Sequence, residues 1–271
     1  MVRALWTAAS GMTTQQTNVD TISNNLSNIN TIGYKKETPQ FKTLLYQTIQ
    51  NTSTDNEGNE KPIGAQVGLG VRTSAVKSIY TQGSYTKTGN GADFAIDGEG
   101  FFAVQLPDGK IGYTRNGSFQ WAIGMQGVTL STSEGYPVLD MNGEQITLGE
   151  NYTLADVSVD SNGYICYPDK QNNAQSIGVQ LGIVQFSNPA GLLKSSDSIV
   201  FPTNASGDPV FEASSTTLEK SKIRQGYLEG SNVEAVEEMV NLIVAQRAYE
   251  MNSKIISASD EMLQQANNLR G

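Results

Sequence analysis

The sequence predicts an α+β chain: long N- and C-terminal helices that pair as a coiled coil, and a central β-rich domain. Three observations carry this. Positions 5, 8, 12, 15, 19, 22, 26 and 29 read Leu, Ala, Met, Gln, Val, Ile, Leu and Ile, in alternating steps of three and four. That spacing winds a largely apolar seam along a helix meant to pair with another. Near the other end, Leu242, Tyr249, Ile256 and Leu263 recur every seven residues, with Ala245 and Ala266 between them. The stretch between the two ends breaks into short alternating segments, and the chain carries 27 glycines and 38% hydrophobic residues, a turn-rich profile.

In order along the chain, residues 1–33 form the N-terminal helix of the terminal coiled-coil domain. It is expected to end near Asn30, with Gly33 able to supply a left-handed turn. Residues 10–30 contain one charged side chain, Asp20, and the other polar positions are Thr, Gln, Asn and Ser. A surface helix normally shows a charged outer face, so this one is expected to be covered on its outer side by copies of itself. Residues 34–67 read as an extended connector, polar from Gln47 to Pro62.

Residues 68–225 read as the central β-rich domain. Candidate strands span 101–106 and 111–115, joined by Pro107-Asp108-Gly109, and further ones span 157–159, 164–167 and 179–186. Asn116-Gly117, Asn142-Gly143 and Asn162-Gly163 supply turn signals. Residues 226–271 hold the C-terminal helix, expected from about Asn232 to Asn268. Ser231 and Glu234 have capping-box spacing, and Glu234, Glu237 and Glu238 place negative charge in the first turns. Arg247, Glu250, Lys254 and Asp260 predict one wetter face, with the seam turned toward the N-terminal helix.

Composition removes several function classes. The net charge is −9 and no Lys/Arg-rich run occurs, which argues against nucleic acid as a partner. One cysteine, Cys166, and no histidine exclude an internal disulfide framework, Ser/His/Asp catalysis and every His-ligated metal site. No run approaches the roughly 18 apolar residues of a membrane span, so no transmembrane segment is expected. Ser10 and Gly11 interrupt the first apolar stretch too soon for a signal-peptide core.

Little suggests chemistry. Gly68-x-Gly70 and Gly98-x-Gly100 lack the remaining spacing of a dinucleotide loop and read as turns. Asp160-Ser161-Asn162-Gly163 matches half of a calcium loop without its closing glutamate, and reads as a hairpin turn. Asp93, Asp97 and Glu99 flank turns with no sign of a cleft. The expectation is a non-enzyme with no cofactor, no metal and no catalytic residue.

The ends also carry a resemblance. The stretch SGMTTQQTNVDTISNNLSNINTIGYKK resembles the N-terminal signature of the bacterial flagellar rod and hook protein family, through Asn24, Asn25, Leu26 and Asn28 followed by Gly33. The C-terminal SNVEAVEEMVNLIVAQRAYEMNSKIISASDEML resembles the same family's other signature, including Gln246, Arg247, Tyr249 and Glu250, and DFAIDGEGFFAVQLPDGKIGYTRNGSF resembles its middle region. Within the family, the length and the stretches 44–49 and 64–72 are most similar to the distal-rod branch.

The resemblance implies a structural subunit that self-assembles into a helical tube enclosing the export channel and acting as a rigid drive shaft from motor to hook. It implies export through the flagellar type III apparatus without a cleaved signal peptide, and residence in the cell-envelope rod of the basal body. Its implied partners are itself, the proximal rod proteins, the hook protein, and the L- and P-ring proteins where these exist. The terminal helices would form the inner tube with the β domain outside it. The polymer interface would then fall on the seams: Leu5, Met12, Val19, Ile22, Leu26 and Ile29 on one helix, Leu242, Tyr249, Ile256 and Leu263 on the other. A hook or proximal rod subunit is the alternative within the family. An extracellular β-rich binding module or hydrolase is the alternative outside it.

Overall fold

The computed structural model describes residues 2–50, 65–124, 127–149, 152–169, 174–215 and 218–269. The chain divides into two compact units, one drawn from residues 1–27, 37–78 and 234–271, the other from 28–36 and 79–233. The architecture is α+β, with a β-rich central part and a helix toward each end.

The first unit holds α1 (Val2–Ser27), β1 (Glu37–Thr43), β2 (Tyr46–Gln50), β3 (Ala65–Gly68), β4 (Val71–Ser78) and α2 (Ala235–Asn268). The two helices pack against each other, and α1 also packs on β1 and β4. Those strands form an antiparallel ladder from Glu37 opposite Ser78 to Thr43 opposite Val71, with a bulge between Gln40 and Phe41. β2 and β3 pair as a second antiparallel ribbon. Within the expected connector, 34–67, the chain thus forms β1, β2 and the start of β3, while residues 51–64 lie outside the described residues.

The packing of α1 explains how a helix so poor in charge becomes ordered. Thr14 and Thr21 are buried, and each returns its hydroxyl to a carbonyl one turn back, Ser10 at 3.0 Å and Thr17 at 2.8 Å. The hydroxyls are satisfied within the helix, so their burial leaves no orphaned donor. Ser10 Oγ also accepts a bond from the backbone N–H of Val71 at 3.3 Å. Part of the cover expected from copies of the chain thus comes from its own β1 and β4.

Both helix boundaries differ from expectation. α1 stops at Ser27 rather than near Asn30, because a turn closed by Thr31 N–H on the Asn28 carbonyl at 3.2 Å replaces the helical pattern. Gly33 does adopt the left-handed conformation, with φ 69°. α2 starts at Ala235, and the capping box does not form: its N-cap is Glu234, without a side-chain bond. Asn232 explains the delay. Its side chain accepts from Lys36 N–H at 2.7 Å and donates to the Ile79 carbonyl at 2.9 Å, which holds the chain out of helical conformation. Ser231 Oγ instead accepts from Val233 N–H at 3.3 Å.

The second unit holds β5 (Tyr85–Lys87), β6 (Phe94–Asp97), β7 (Phe101–Gln105), β8 (Ile111–Thr114), β9 (Phe119–Gly124), β10 (Gly127–Thr132) and β11 (Thr147–Leu148). It continues with β12 (Ser158–Val159), β13 (Tyr164–Pro168), β14 (Ala174–Gln180), β15 (Ile183–Gln185), β16 (Leu193–Lys194) and β17 (Ile199–Phe201), and ends with β18 (Val210–Phe211), β19 (Lys222–Gln225) and β20 (Tyr227–Glu229). A six-stranded sheet runs in the order β16-β17-β8-β7-β15-β18. β7 reads Phe-Phe-Ala-Val because both of its faces are covered. Phe102 and Val104 enter one core cluster with Phe94, Phe119 and Leu130, and Phe101 and Ala103 enter another with Tyr113 and Phe186. Full burial of each such Phe stabilises by about 1.5–3 kcal/mol. The Asp160–Gly163 stretch is the hairpin turn between β12 and β13, closed by Gly163 N–H on the Asp160 carbonyl at 2.8 Å.

Candidate self-assembly surfaces

Within the first unit, the α2 side of the seam follows the heptads. Glu238, Ala245 and Ser259 are buried, and Leu242, Ile256 and Leu263 are half-buried. Tyr249 departs from this pattern at 43% exposed. On α1, Ala8 and Ile22 are buried, while Leu5, Met12, Val19 and Leu26 are half-buried. Ile29 lies past the end of α1, in the turn that opens the second unit, so it does not extend the seam. Gly11 marks a close approach: a Cβ there would stand 2.9 Å from Asn252 Nδ2.

Asn25 fixes the far end of this packing. Its amide oxygen accepts from Glu37 N–H at 2.9 Å, and its Nδ2 donates to the Glu37 carbonyl at 2.8 Å. The side chain thus pairs with the first residue of β1 as a neighbouring strand would. The same Nδ2 reaches Glu238 Oε2 at 3.0 Å. One signature residue thereby ties α1, β1 and α2 together. Asn24 adds a longer bond to Glu37 Oε2 at 3.4 Å.

The solvent side of α2 carries the expected charges, with Arg247, Glu250, Lys254 and Asp260 all exposed, and an apolar stripe besides. Val236, Val240, Ile243, Val244, Met251 and Ile255 are all exposed, Val236 at 63% and Ile255 at 46%. Their steps of three, four and seven wind a second stripe along the helix. The ribbon of β2 and β3 is similar, with Leu45, Tyr46 and Ile49 exposed. Among the signature residues, Gln246, Arg247 and Glu250 are exposed, and Arg247 pairs with Glu250 at 3.1 Å. A recess of about 380 Å³ runs beside Gln16, Val19, Gln246, Tyr249 and Glu250.

The second unit has its own node, which sequence reasoning missed. Glu229 is 1% exposed and accepts from Lys35 Nζ at 2.6 Å and from Arg115 Nε at 3.0 Å. Gly33 makes the approach possible: a Cβ there would lie 2.7 Å from the Arg115 carbonyl carbon, and Gly33 N–H bonds the Glu229 carbonyl at 2.8 Å. Burial, and then the neighbouring Arg115 guanidinium, hold the Lys35 ammonium below its ordinary pKa against the opposite pull of Glu229. A polar residue at a heptad position, as at Glu238, and a charged one inside an apolar β segment, as at Arg115, were the available signals. Asp93 and Asp97 do not meet: Asp93 accepts from Asn90 Nδ2 at 3.2 Å, and Asp97 pairs with Arg224 at 2.7 Å.

Comparison with known proteins finds matches in three stretches of the chain. Residues 5–35 match the family profile described as flagella basal body rod protein. Residues 95–167 match the flagellar hook protein FlgE/F/G D1 domain, and 224–269 match the flagellar basal body rod FlgEFG protein C-terminal. The chain is 44% identical to the flagellar basal-body rod protein FlgG of Borreliella burgdorferi, covering 100% of this chain and 99% of that one. The chain belongs to the flagellar basal-body rod protein family. It is also 41% identical to the FlgG of Caulobacter vibrioides over 99% of this chain and 100% of that one. The FlgG of Bacillus subtilis is 36% identical over the whole of both chains. As a rod-family member, the chain is a structural component of the flagellar basal body. No helix among the described residues is long and apolar enough to cross a membrane.

Proposed function

We propose that the chain is the subunit of the distal rod, assembling with copies of itself into a straight tube that encloses the export channel and carries torque from motor to hook. The observation that carries this is the second apolar stripe on α2, from Val236 to Ile255, standing in solvent beside a seam already filled by α1. Contiguous exposed apolar surface of this kind marks an interaction site, and a helix with two apolar faces suits a bundle shared between subunits. Tyr249, half in the seam and half out, fits a contact shared by two copies.

In this reading α1 and α2 pair as a coiled coil, and residues 1–33 and 226–271 line the tube. Residues 34–67 brace neighbouring subunits, and 68–225 form the β domain. The proximal rod and the hook adjoin the two ends, the L- and P-rings surround the rod where they exist, and the subunit arrives by type III export. The test is negative-stain imaging of the purified protein under polymerising conditions. Straight tubes are expected. Curved tubes would favour the hook reading, and a persistent monomer would overturn self-assembly.

A further inference from the structure

In the second unit, a cavity of about 210 Å³ opens beside the Lys35–Glu229–Arg115 node, and its lining includes Thr31, Tyr34, Lys194 and Ser198 with Lys35 and Arg115. None of its lining residues is acidic, in a chain of 27 acidic and 18 basic residues. The node itself is out of balance. Lys35 and Arg115 share one carboxylate, with side-chain exposures of 3% and 4% against 1% for Glu229. Two cations against one anion leave an excess positive charge out of water, which is unfavourable unless a further anion compensates it.

The hydrogen bonds show where a donor is to spare. Arg115 donates from Nε to Glu229, from Nη1 to the Gly98 and Gly100 carbonyls and from Nη2 to Gln82 Oε1, with Nη2 also 3.0 Å from Glu229 Oε2. Lys35 has three N–H donors. Two go to the Thr81 carbonyl at 2.8 Å and to Glu229 Oε1 at 2.6 Å, which leaves one ammonium proton on a residue that lines the cavity. Lys194 Nζ stands 5.5 Å from the centre of the Tyr34 ring on the same lining. Asp197, in the adjacent turn, is exposed and accepts from Ser196 Oγ at 3.3 Å.

We propose that this cavity binds a small oxyanion of the carboxylate class, received by the third N–H of Lys35 and by Lys194, with the Ser198 hydroxyl beside it. Burial first, and then the neighbouring Arg115, lower the pKa of Lys35 despite Glu229, which agrees with an ammonium short of compensating charge. Size limits the ligand. At about 30 Å³ per water the space holds a carboxylate with a few waters, and it is below the roughly 300–1,000 Å³ of sites for larger ligands. The carboxylate has two possible sources, a free small acid or an acidic side chain on a second copy of this chain.

The test titrates sodium acetate into the full chain under non-polymerising conditions, at ionic strength fixed with chloride, and follows the Lys35 ammonium and the Ser198 amide by NMR. Saturable shifts confined to the cavity are expected. Lys194→Gln, which leaves the Lys35–Glu229–Arg115 node in place, should weaken binding at least fivefold, and Lys110→Gln should leave it unchanged. Shifts that never saturate, or that are the same in Lys194→Gln, overturn the site. A second arm separates the sources. Acetate that slows polymerisation with a midpoint near its dissociation constant identifies the carboxylate of a second copy. Polymerisation indifferent to acetate, with the site still titrating, identifies a free acid. The first arm stands whether or not the chain polymerises.

Discussion

Asn25 Nδ2 lies 3.0 Å from Glu238 Oε2, across 213 positions of sequence, with both residues 1% exposed. The pair joins a residue of the N-terminal signature to the first turns of α2. Removing the amide should therefore loosen the whole first unit. Asn25→Ala leaves Glu37 and Glu238 short of partners in a buried place, at about 1–3 kcal/mol per unsatisfied group. The expected result is faster amide exchange throughout α1 with little change in the second unit. Asn25→Asp should be worse at neutral pH, because two carboxylates at hydrogen-bond distance cannot both ionise. One of them then has a folded pKa above its unfolded value, so the penalty exists above the unfolded pKa and is relieved as pH falls. Helix content that recovers on acidification for Asn25→Asp, but not for Asn25→Ala, checks the assignment.

Gly33 is the corresponding point in the second unit. Its φ of 69° and the 2.7 Å spacing from the Arg115 carbonyl carbon leave no room for a side chain. Gly33→Ala should cost about 1–2 kcal/mol for the left-handed backbone alone, with the displacement of Arg115 added. A lower melting temperature for the β-rich unit is expected, with the α1–α2 packing unchanged. Equal stability of the two proteins would remove Gly33 from the node.

How much was legible in the sequence depended on the kind of signal. Period is local, so part of the α2 seam was readable: Leu242, Ala245, Ile256 and Leu263 are half-buried or buried, while Tyr249 and Ala266 of the same reading are exposed; the hairpin turn at Asn162-Gly163 was readable as well. Helix ends were not, because distant partners set them. Asn232 is held by Lys36 and Ile79, and no local rule could weigh those bonds against a Ser–Glu capping pattern. The charges on α2 concealed its second stripe, since Glu237 and Lys254 sit among Val236, Val240 and Ile255. The buried node left only a faint local trace, a charged Arg115 beside an apolar β segment, because Lys35, Arg115 and Glu229 become neighbours only after the sheet forms.

Alkaline pH tests a third cluster. Burial, and then the nearby Asp97 carboxylate, push the Tyr85 phenol up to about 12, and Arg224 lies over its ring at 4.8 Å. A raised folded pKa means that the stabilisation is complete below the unfolded value of about 10 and is lost as pH climbs through the folded one. Stability should therefore fall between about pH 10 and 12. Tyr85→Phe should flatten that fall and remove one late-titrating phenolate from the ultraviolet titration. An unaltered profile would mean that Tyr85 titrates like a free tyrosine.

Ile256 separates assembly from folding. It is half-buried on the inner face of α2, one heptad from Tyr249 and from Leu263. Full burial of an Ile side chain is worth about 1.5–3 kcal/mol. The single chain realises part of this, and in the proposed tube the rest comes when a copy covers the helix. Ile256→Asp forfeits that burial and brings a carboxylate into an apolar contact, where a charge without a partner is strongly unfavourable. The loss recurs at every subunit along a tube. The second unit contains no residue of α2, so its own melting transition should persist. The expected protein is soluble and exported, melts normally in its β-rich unit, and fails to sediment under conditions that polymerise the wild type. Cells carrying it should be non-motile. Normal polymers would take Ile256 out of the seam, and loss of the β-rich transition would show that the two units fold as one.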